Sequence, residues 1–379
     1  MLARSAKNKN LRDKTSLPYN GPSFLSRMKS GSLERRQFRC DPWPIVMSRN
    51  NTHLFKLNIL MTVVLSACLR SAPPQISSDN SLVRLTQIDV DPERPGRKAF
   101  GSLTLVSAVQ LESKDTRFGG LSGVSIGTDG KFYAISDRGY WLSATIQLDS
   151  NGALMNLVDW QIAPILTMTK TPVRGRLRDA EGLAQTLDGS FLVAFESAHR
   201  IWRYSSPPNT FNSTPVSVDI PAAIRRAPSN GGMEGLATLP DGRLLILSEE
   251  FANGDGSFKG WLIEAEKSAE LSYVPAEGFR VTDCAALTNG DVLVLERRYA
   301  LFAILSARVT LVEASAIRPG AKLMGKELLK LEQPMAAENY EAIAVQQTSK
   351  GTMIFIASDD NYSSFQQTLL LQFLLPAAL

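Results

Sequence analysis

Residues 180–196 read Ala180-Glu181-Gly182-Leu183-Ala184-Gln185-Thr186-Leu187-Asp188-Gly189-Ser190-Phe191-Leu192-Val193-Ala194-Phe195-Glu196. A short apolar segment leads to an Asp-Gly pair, and an apolar run then ends in a glutamate. The Asp-Gly pair supplies the positive φ angles of a tight hairpin turn. An unbroken apolar run after such a turn reads as a strand buried on both faces.

The same unit recurs four more times. Its other copies are Gly120-Leu121-Ser122-Gly123-Val124 with Asp129-Gly130 and 132–137, and Met233-Glu234-Gly235-Leu236 with Asp241-Gly242 and 244–249. Two more follow: Thr282-Asp283-Cys284-Ala285 with Asn289-Gly290 and 292–296, then Tyr340-Glu341-Ala342-Ile343 with Lys350-Gly351 and 353–359. The turn glycines Gly130, Gly189, Gly242, Gly290 and Gly351 are spaced by 59, 53, 48 and 61 residues. Short strands and hairpin turns at such a period predict a β-propeller. The fold class is therefore all-β, a propeller of five or six four-stranded blades over residues 100–379. An outer strand pair follows the inner pair, as at 145–148 and 157–162 in the first copy. The run 368–374 lacks a fourth partner in its own repeat, and 103–111 is expected to complete that blade and close the ring. No long amphipathic helix is evident, 321–331 being the nearest approach to one.

Upstream of the repeats the chain changes character. The whole sequence carries 41 Lys+Arg against 37 Asp+Glu, a net of +4. Residues 1–46 hold ten of those bases and three of the acids, and Arg49 and Lys56 add two bases, which leaves 29 bases and 34 acids after residue 67. The body is thus acidic by five charges, which argues against nucleic acid as a partner. The apolar run 57–67 is too short for a stable membrane span. With Arg49 and Lys56 before it and small residues after it, 47–67 reads as a signal peptide. Leu65-Ser66-Ala67-Cys68 resembles the lipobox of bacterial lipoproteins, in which the cysteine is acylated and becomes the first mature residue. Residues 1–46 are then an unstructured or untranslated extension, and 68–99 a tether. The expected location is the bacterial cell envelope, lipid-anchored at Cys68 and facing the periplasm. With Cys68 acylated, Cys284 has no disulfide partner and reads as a small buried filler.

Each repeat carries acid at one or both of two points. Glu181, Glu234, Asp283 and Glu341 stand before the turn; Asp137, Glu196, Glu249 with Glu250, Glu296, and Asp359 with Asp360 end the strand after it. Equivalent positions of successive blades converge on a propeller's axis, so these carboxylates crowd one face. Crowded carboxylates share protons or bind cations. Oxygen ligands without His or Cys favour Ca²⁺ or Mg²⁺. Arg138, Arg178, Arg297, Arg298 and His199 lie among them, and arginine suits bidentate binding of phosphate or carboxylate. Some of these acids are expected only to cap turns or pair with Arg between blades. Asn253-Gly254-Asp255-Gly256-Ser257 is a second loop to weigh as a calcium binder or a plain turn. The stretch 320–327 mimics a phosphate loop but lacks the Ser/Thr that Mg²⁺ requires.

Gly119-Gly-Leu-Ser-Gly123, Ser136-Asp137-Arg138-Gly139, 178–183, Glu234-Gly235-Leu236 and 295–299 together resemble the phytase-like domain family, also called esterase-like activity of phytase, over about residues 115–370. The resemblance implies a secreted bacterial propeller suspected of phosphoester hydrolysis. Asp137, Arg138, Glu181, Glu196, Glu234, Glu249, Glu296 and Arg297 match the family pattern. The fourth repeat departs, with Asp283-Cys284 where others have Glu-Gly. The reading is of Asp137, Arg138, Glu196 and Arg297 as catalytic groups and Glu181, Glu234, Glu249, Glu296 and Glu341 as metal ligands. The expected substrate is a small anionic phosphoester, the membrane is reached through the anchor, and the protein is a monomer. The rival readings are a non-catalytic propeller binding a ligand or protein, and a calcium-dependent esterase or lactonase.

Overall fold

The computed structural model describes residues 82–265, 267–298 and 305–377. The extension 1–46, the signal segment 47–67 and the lipidation site Cys68 lie outside them.

Five antiparallel sheets form the blades of one ring. Blade 1 is Leu121–Ile126, Phe132–Ser136, Tyr140–Leu148 and Leu154–Pro164, and blade 2 is Ala180–Gln185, Phe191–Phe195, Arg200–Tyr204 and Val216–Val218. Blade 3 is Met233–Thr238, Leu244–Ala252, Phe258–Glu264 and Lys267–Tyr273, with Lys322–Leu323 added in parallel at its outer edge. Blade 4 is Arg280–Ala286, Val292–Arg298, Ser306–Val312 and Lys326–Glu332. The segment 321–331, the nearest approach to a helix in the sequence, is therefore strand.

Blade 5 joins the two ends of the chain. Tyr340–Thr348, Gly351–Ser358 and Thr368–Pro376 are completed by Leu103–Ser113, with Val83–Gln87 outside it. Thr368 pairs with Leu111 and Leu374 with Thr104, which is the expected closure of the ring. The buried Gln372 secures this seam. Its Oε1 accepts from Ser107 Oγ at 3.1 Å and from the Leu154 amide at 2.8 Å, and its Nε2 donates to the Gly152 carbonyl at 2.9 Å. Within the expected tether, Val83–Gln87 pairs with the 109–113 segment and Ala99–Phe100 with Leu103–Thr104, so these two pieces belong to this sheet. Every strand of the ring lies within residues 83–376, so the propeller is a self-contained folding unit.

The hairpins form as their turn residues dictate. Gly130, Gly189, Gly242 and Gly290 have φ between 76° and 91°. Asp129, Asp188 and Asp241 each accept the amide two residues on. The strands behind these turns, such as Phe191–Phe195, are buried throughout. Their side chains fill the gaps between blades: Trp141 of blade 1 packs on Phe191 and Tyr204 of blade 2, at 5.8 and 5.3 Å between ring centroids. Each such large side chain contributes roughly 1.5–3 kcal/mol by leaving water. Near the axis there is little room: a Cβ at Gly182 would meet the Glu234 carbonyl at 3.0 Å. Among the described residues no helix is long and apolar enough to cross a membrane.

Candidate functional site

Each inner strand is interrupted by a β-bulge at the same point. The register shifts fall at Leu121/Gly123, Ala180/Gly182, Met233/Gly235, Val281/Asp283 and Tyr340/Ala342. The extra residues are Ser122, Glu181, Glu234, Thr282 and Glu341. A bulge leaves its residue out of the pairing and re-aims its side chain. On the facing strand, Ser136, Phe195, Ser248, Glu296 and Ser358 pair with the residue before each bulge. The next residues, Asp137, Glu196, Glu249, Arg297 and Asp359, form a second ring. A third ring faces them. The amides of Asp137, Glu196, Glu249 and Asp359 donate to the carbonyls of Gly120, Asp179, Gly232 and Asn339 at 2.8–3.1 Å, and Arg280 is the partner of Arg297. These three rings bring Asp137, Asp179, Glu181, Glu196, Glu234, Glu249, Glu341 and Asp359 to one end of the axis.

The carboxylates are close. Asp179, Glu181 and Glu196 each offer an oxygen, and the three oxygens lie within 4.8 Å of one another. Glu196 Oε1 accepts the Gly231 amide at 2.9 Å and also the Gly232 amide, and Glu196 is hydrogen-bonded to Glu234. Burial first, and then the neighbouring carboxylates, push Glu181 and Glu234 well above the ordinary range. Burial likewise raises Glu196 and Glu341 to about 7, Asp359 to about 8 and Asp137 to about 6. One Asp137 oxygen is buried without a hydrogen-bond partner among the described residues. The counter-ion is Arg297. Its Nη2 meets Glu249 Oε1 at 3.0 Å and its Nη1 donates to Glu341 and Asn339. Asn339 Nδ2 also donates to Glu341 Oε1 at 3.0 Å. One buried guanidinium cannot neutralise this many acids, so the rest must hold protons or give them up to a bound cation.

The sequence profile of the phytase-like family, described as esterase-like activity of phytase, matches residues 116–362. The chain belongs to the phytase-like family. The match spans all five inner strands and therefore all three rings. No curated protein matches the sequence. Among solved structures, a gluconolactonase from Xanthomonas campestris shares 11% identity over 77% of this chain and 91% of its own, with a TM-score of 0.39. The PQQ-bound aldose sugar dehydrogenase of Streptomyces coelicolor shares 10% over 78% of this chain and 98% of its own, with a TM-score of 0.40. A Trichoderma reesei protein of carbohydrate-active family AA12, solved with calcium, shares 13% over 77% and 95%, at 0.38.

Of the residues read as catalytic groups or metal ligands, the structure gathers Glu181, Glu196, Glu234, Glu249, Glu341, Asp137 and Arg297, and it sets Glu296 apart. The Glu296 carboxylate is buried between blades 3 and 4. It accepts the Tyr273 hydroxyl and the Ala276 amide and lies 3.5 Å from Arg308 Nε. Asp283 is also displaced from the expected set. It is fully buried, and its two oxygens accept the amides of Cys284 and Ile343 at 2.7 and 2.8 Å. Both differences have one cause. Matching acid to acid among the repeats places blade 4 one residue out of step, and in the fold Thr282 takes the bulge and Arg297 the strand end. A one-residue change of register turns each side chain to the opposite face.

The spacing to the turn glycine carries the correct register. Asp137, Glu196, Glu249 and Arg297 each follow Gly130, Gly189, Gly242 and Gly290 by seven residues; Ser122, Glu181, Glu234 and Thr282 precede the same glycines by eight. Ser122 and Thr282, the hydroxyl members of the bulge ring, donate to the carbonyls of Ala180 and Tyr340 in the next blade. Asp179, an acid of this cluster that sequence reasoning missed, is two residues before Glu181, and Ser197 Oγ donates to its Oδ2 at 2.6 Å.

Of the remaining cations, Arg138 is exposed at the rim with its guanidinium 3.4 Å from the Tyr362 ring centroid. Arg298 pairs with Glu332 at 2.5 Å, away from the well. His199 Nε2 lies 2.9 Å from the Pro228 carbonyl, and its ring packs over Gly232 beside Glu196. In the 253–257 loop, Asp255 accepts from Ser257 and pairs with Lys322 Nζ at 2.9 Å, as a plain salt-bridged turn does. Cys284 is buried as a free thiol. Further along the axis, a cavity of about 180 Å³ is lined by the far ends of all five inner strands, with no carboxylate among its residues.

Proposed function

We propose that the protein is a metal-assisted phosphoester hydrolase of the bacterial envelope, anchored by a lipid at Cys68. The observation that carries this reading is the Asp179–Glu181–Glu196 trio, three carboxylate oxygens within 4.8 Å of one another beside Glu234. Such a set fits a hard divalent cation, Ca²⁺ or Mg²⁺, because every donor is oxygen and each carboxyl becomes a charged ligand once it gives up its proton to the ion's field. When bound, the cation would polarise a phosphoryl oxygen and neutralise charge developing on it.

The chain's own residues supply the rest. Arg138, exposed at the rim, and Arg178, whose charge is felt at Asp137, attract and orient the anionic ester. Asp137 has a buried oxygen free to take a proton and a carboxyl raised to about 6. It would accept a proton from the attacking water and return it to the departing alkoxide as the phosphorus–oxygen ester bond breaks. Arg297 is engaged with Glu249 and Glu341 and serves to hold the acidic wall in place.

Release of nitrophenol from nitrophenyl phosphate and bis(nitrophenyl) phosphate tests the reading. Activity is expected with Ca²⁺ or Mg²⁺, to be lost on chelation, and to fall at least about a hundredfold in Glu181→Gln with Glu249→Gln. Turnover that survives the double substitution, or that is absent with every metal, overturns it. In the latter case cation binding without turnover would favour the binding-protein reading, and turnover of aryl carboxylic esters alone the esterase reading.

A further inference from the structure

The end of the ring that carries the well is also the end where the inter-blade loops cross from an outermost strand to the next inner strand. Two of these loops differ from the rest in composition. Residues 165–178 contain Lys170, Arg174, Arg176 and Arg178 and no acid; residues 220–231 contain Arg225 and Arg226 and no acid. All six of these side chains belong to exposed residues. Among the described residues none forms an ion pair. Two apolar side chains stand exposed among them, Met168 at 46% and Leu177 at 41%. The loops form one continuous surface. Arg176 Nη2 donates to the Ser197 carbonyl at 2.7 Å, and the Ser197 amide donates to the Ser229 carbonyl at 3.2 Å. Asp219, at the root of the second loop, is the exposed acid closest to it in sequence.

We propose that this arc over blades 2 and 3 docks the propeller on an anionic lipid surface. Unpaired arginines spread along a rim, with exposed Met and Leu between them, match the chemistry of headgroup contact: charge meets anionic lipid while the apolar side chains enter the acyl boundary. A soluble anion would need convergent donors rather than an exposed Met and Leu. The docked protein would present the acidic well, and not an outer blade face, to the membrane. The inference is independent of what the well does.

Residues 75–379, which hold the complete ring and lack the apolar 57–67 run, are the material for the test. Co-sedimentation is measured with vesicles of phosphatidylcholine alone and of phosphatidylcholine doped with phosphatidylglycerol. Binding is expected to the doped vesicles, weakening as salt rises. Each arginine near the surface is worth about fivefold, so Arg174→Gln with Arg225→Gln and Arg226→Gln should weaken partition on the order of a hundredfold. Met168→Ser with Leu177→Ser should remove the part of the binding that resists salt. All five side chains are exposed, so the melting temperature checks that each variant is folded. Equal partition onto both vesicle types, undiminished binding by the arginine variant, or equally tight binding to soluble polyphosphate overturns the proposal.

Discussion

Blades 2 and 4 are built on the same plan and put opposite charge at the axis. In blade 2 the bulge and the strand end carry Glu181 and Glu196; in blade 4 they carry Thr282 and Arg297. Where blade 2 has Gly182, packed tightly against blade 3, blade 4 has Asp283, whose oxygens accept amides of its own strand and of blade 5. Blade 2 thus concentrates like charge, and blade 4 supplies the cation and the buried bonds that make such a concentration tolerable. The acids of the repeat are therefore of two kinds. Those facing the axis gain from a ligand, and those of blade 4, Asp283 and Glu296, already have their partners in the fold.

The largest expected effect comes from removing the cation of blade 4. Arg297→Met leaves Glu249 and Glu341 without their counter-ion, and urea unfolding should show a loss of about 3–5 kcal/mol. Adding Glu249→Gln should recover part of it. Next is Asp283→Ala, which strips acceptors from the buried amides of Cys284 and Ile343 and should cost about 2 kcal/mol in the same assay. Asp283→Asn, which keeps an acceptor, should lose less.

The axial acids make stability depend on pH. Asp137, Glu196, Glu341 and Asp359 hold protons in the folded chain up to about 6, 7, 7 and 8. An unfolded carboxyl releases its proton near 4. A raised folded value means that the stabilisation is fully present below the unfolded value and is lost as pH rises through the folded values. Chelated protein should therefore melt at a clearly lower temperature near pH 8 than near pH 5. Added divalent cation should flatten that slope. A melting temperature that rises across the same window would mean that the acids are compensated by something other than protons. The smallest effect belongs to Glu296→Gln. It lies off the axis, so cation binding should be unchanged, while replacing one of its two accepting oxygens by a donor beside the Ala276 amide should cost about 1–2 kcal/mol of stability.

Much of this fold is legible in the amino-acid sequence alone. The Asp-Gly turns mark the innermost hairpin of each of blades 1–3, and the unpaired run at the C-terminus calls for 103–111 to close the ring. The acids of blades 2 and 3 are equally plain, since Glu-Gly-Leu recurs at one distance from the turn. Blade 4 is harder because a bulge leaves no mark in composition, and matching the repeats by acid instead of by turn glycine slides the reading by one residue. That slide exchanges Glu296 for Arg297 and Asp283 for Thr282. Asp179 escaped notice because the corresponding positions in blades 1 and 3 are Gly120 and Gly232. Its role depends on the closeness of Glu181 and Glu196, which the bulge in the blade 2 hairpin creates and composition does not mark.

Titration calorimetry of Ca²⁺ and Mg²⁺ into the chelated protein tests the central claim most directly, with Glu181→Gln and Glu296→Gln measured beside the wild type. One cation site is expected in the wild type and in Glu296→Gln, and none at comparable affinity in Glu181→Gln. No binding to the wild type, or equal loss in both variants, would contradict the account.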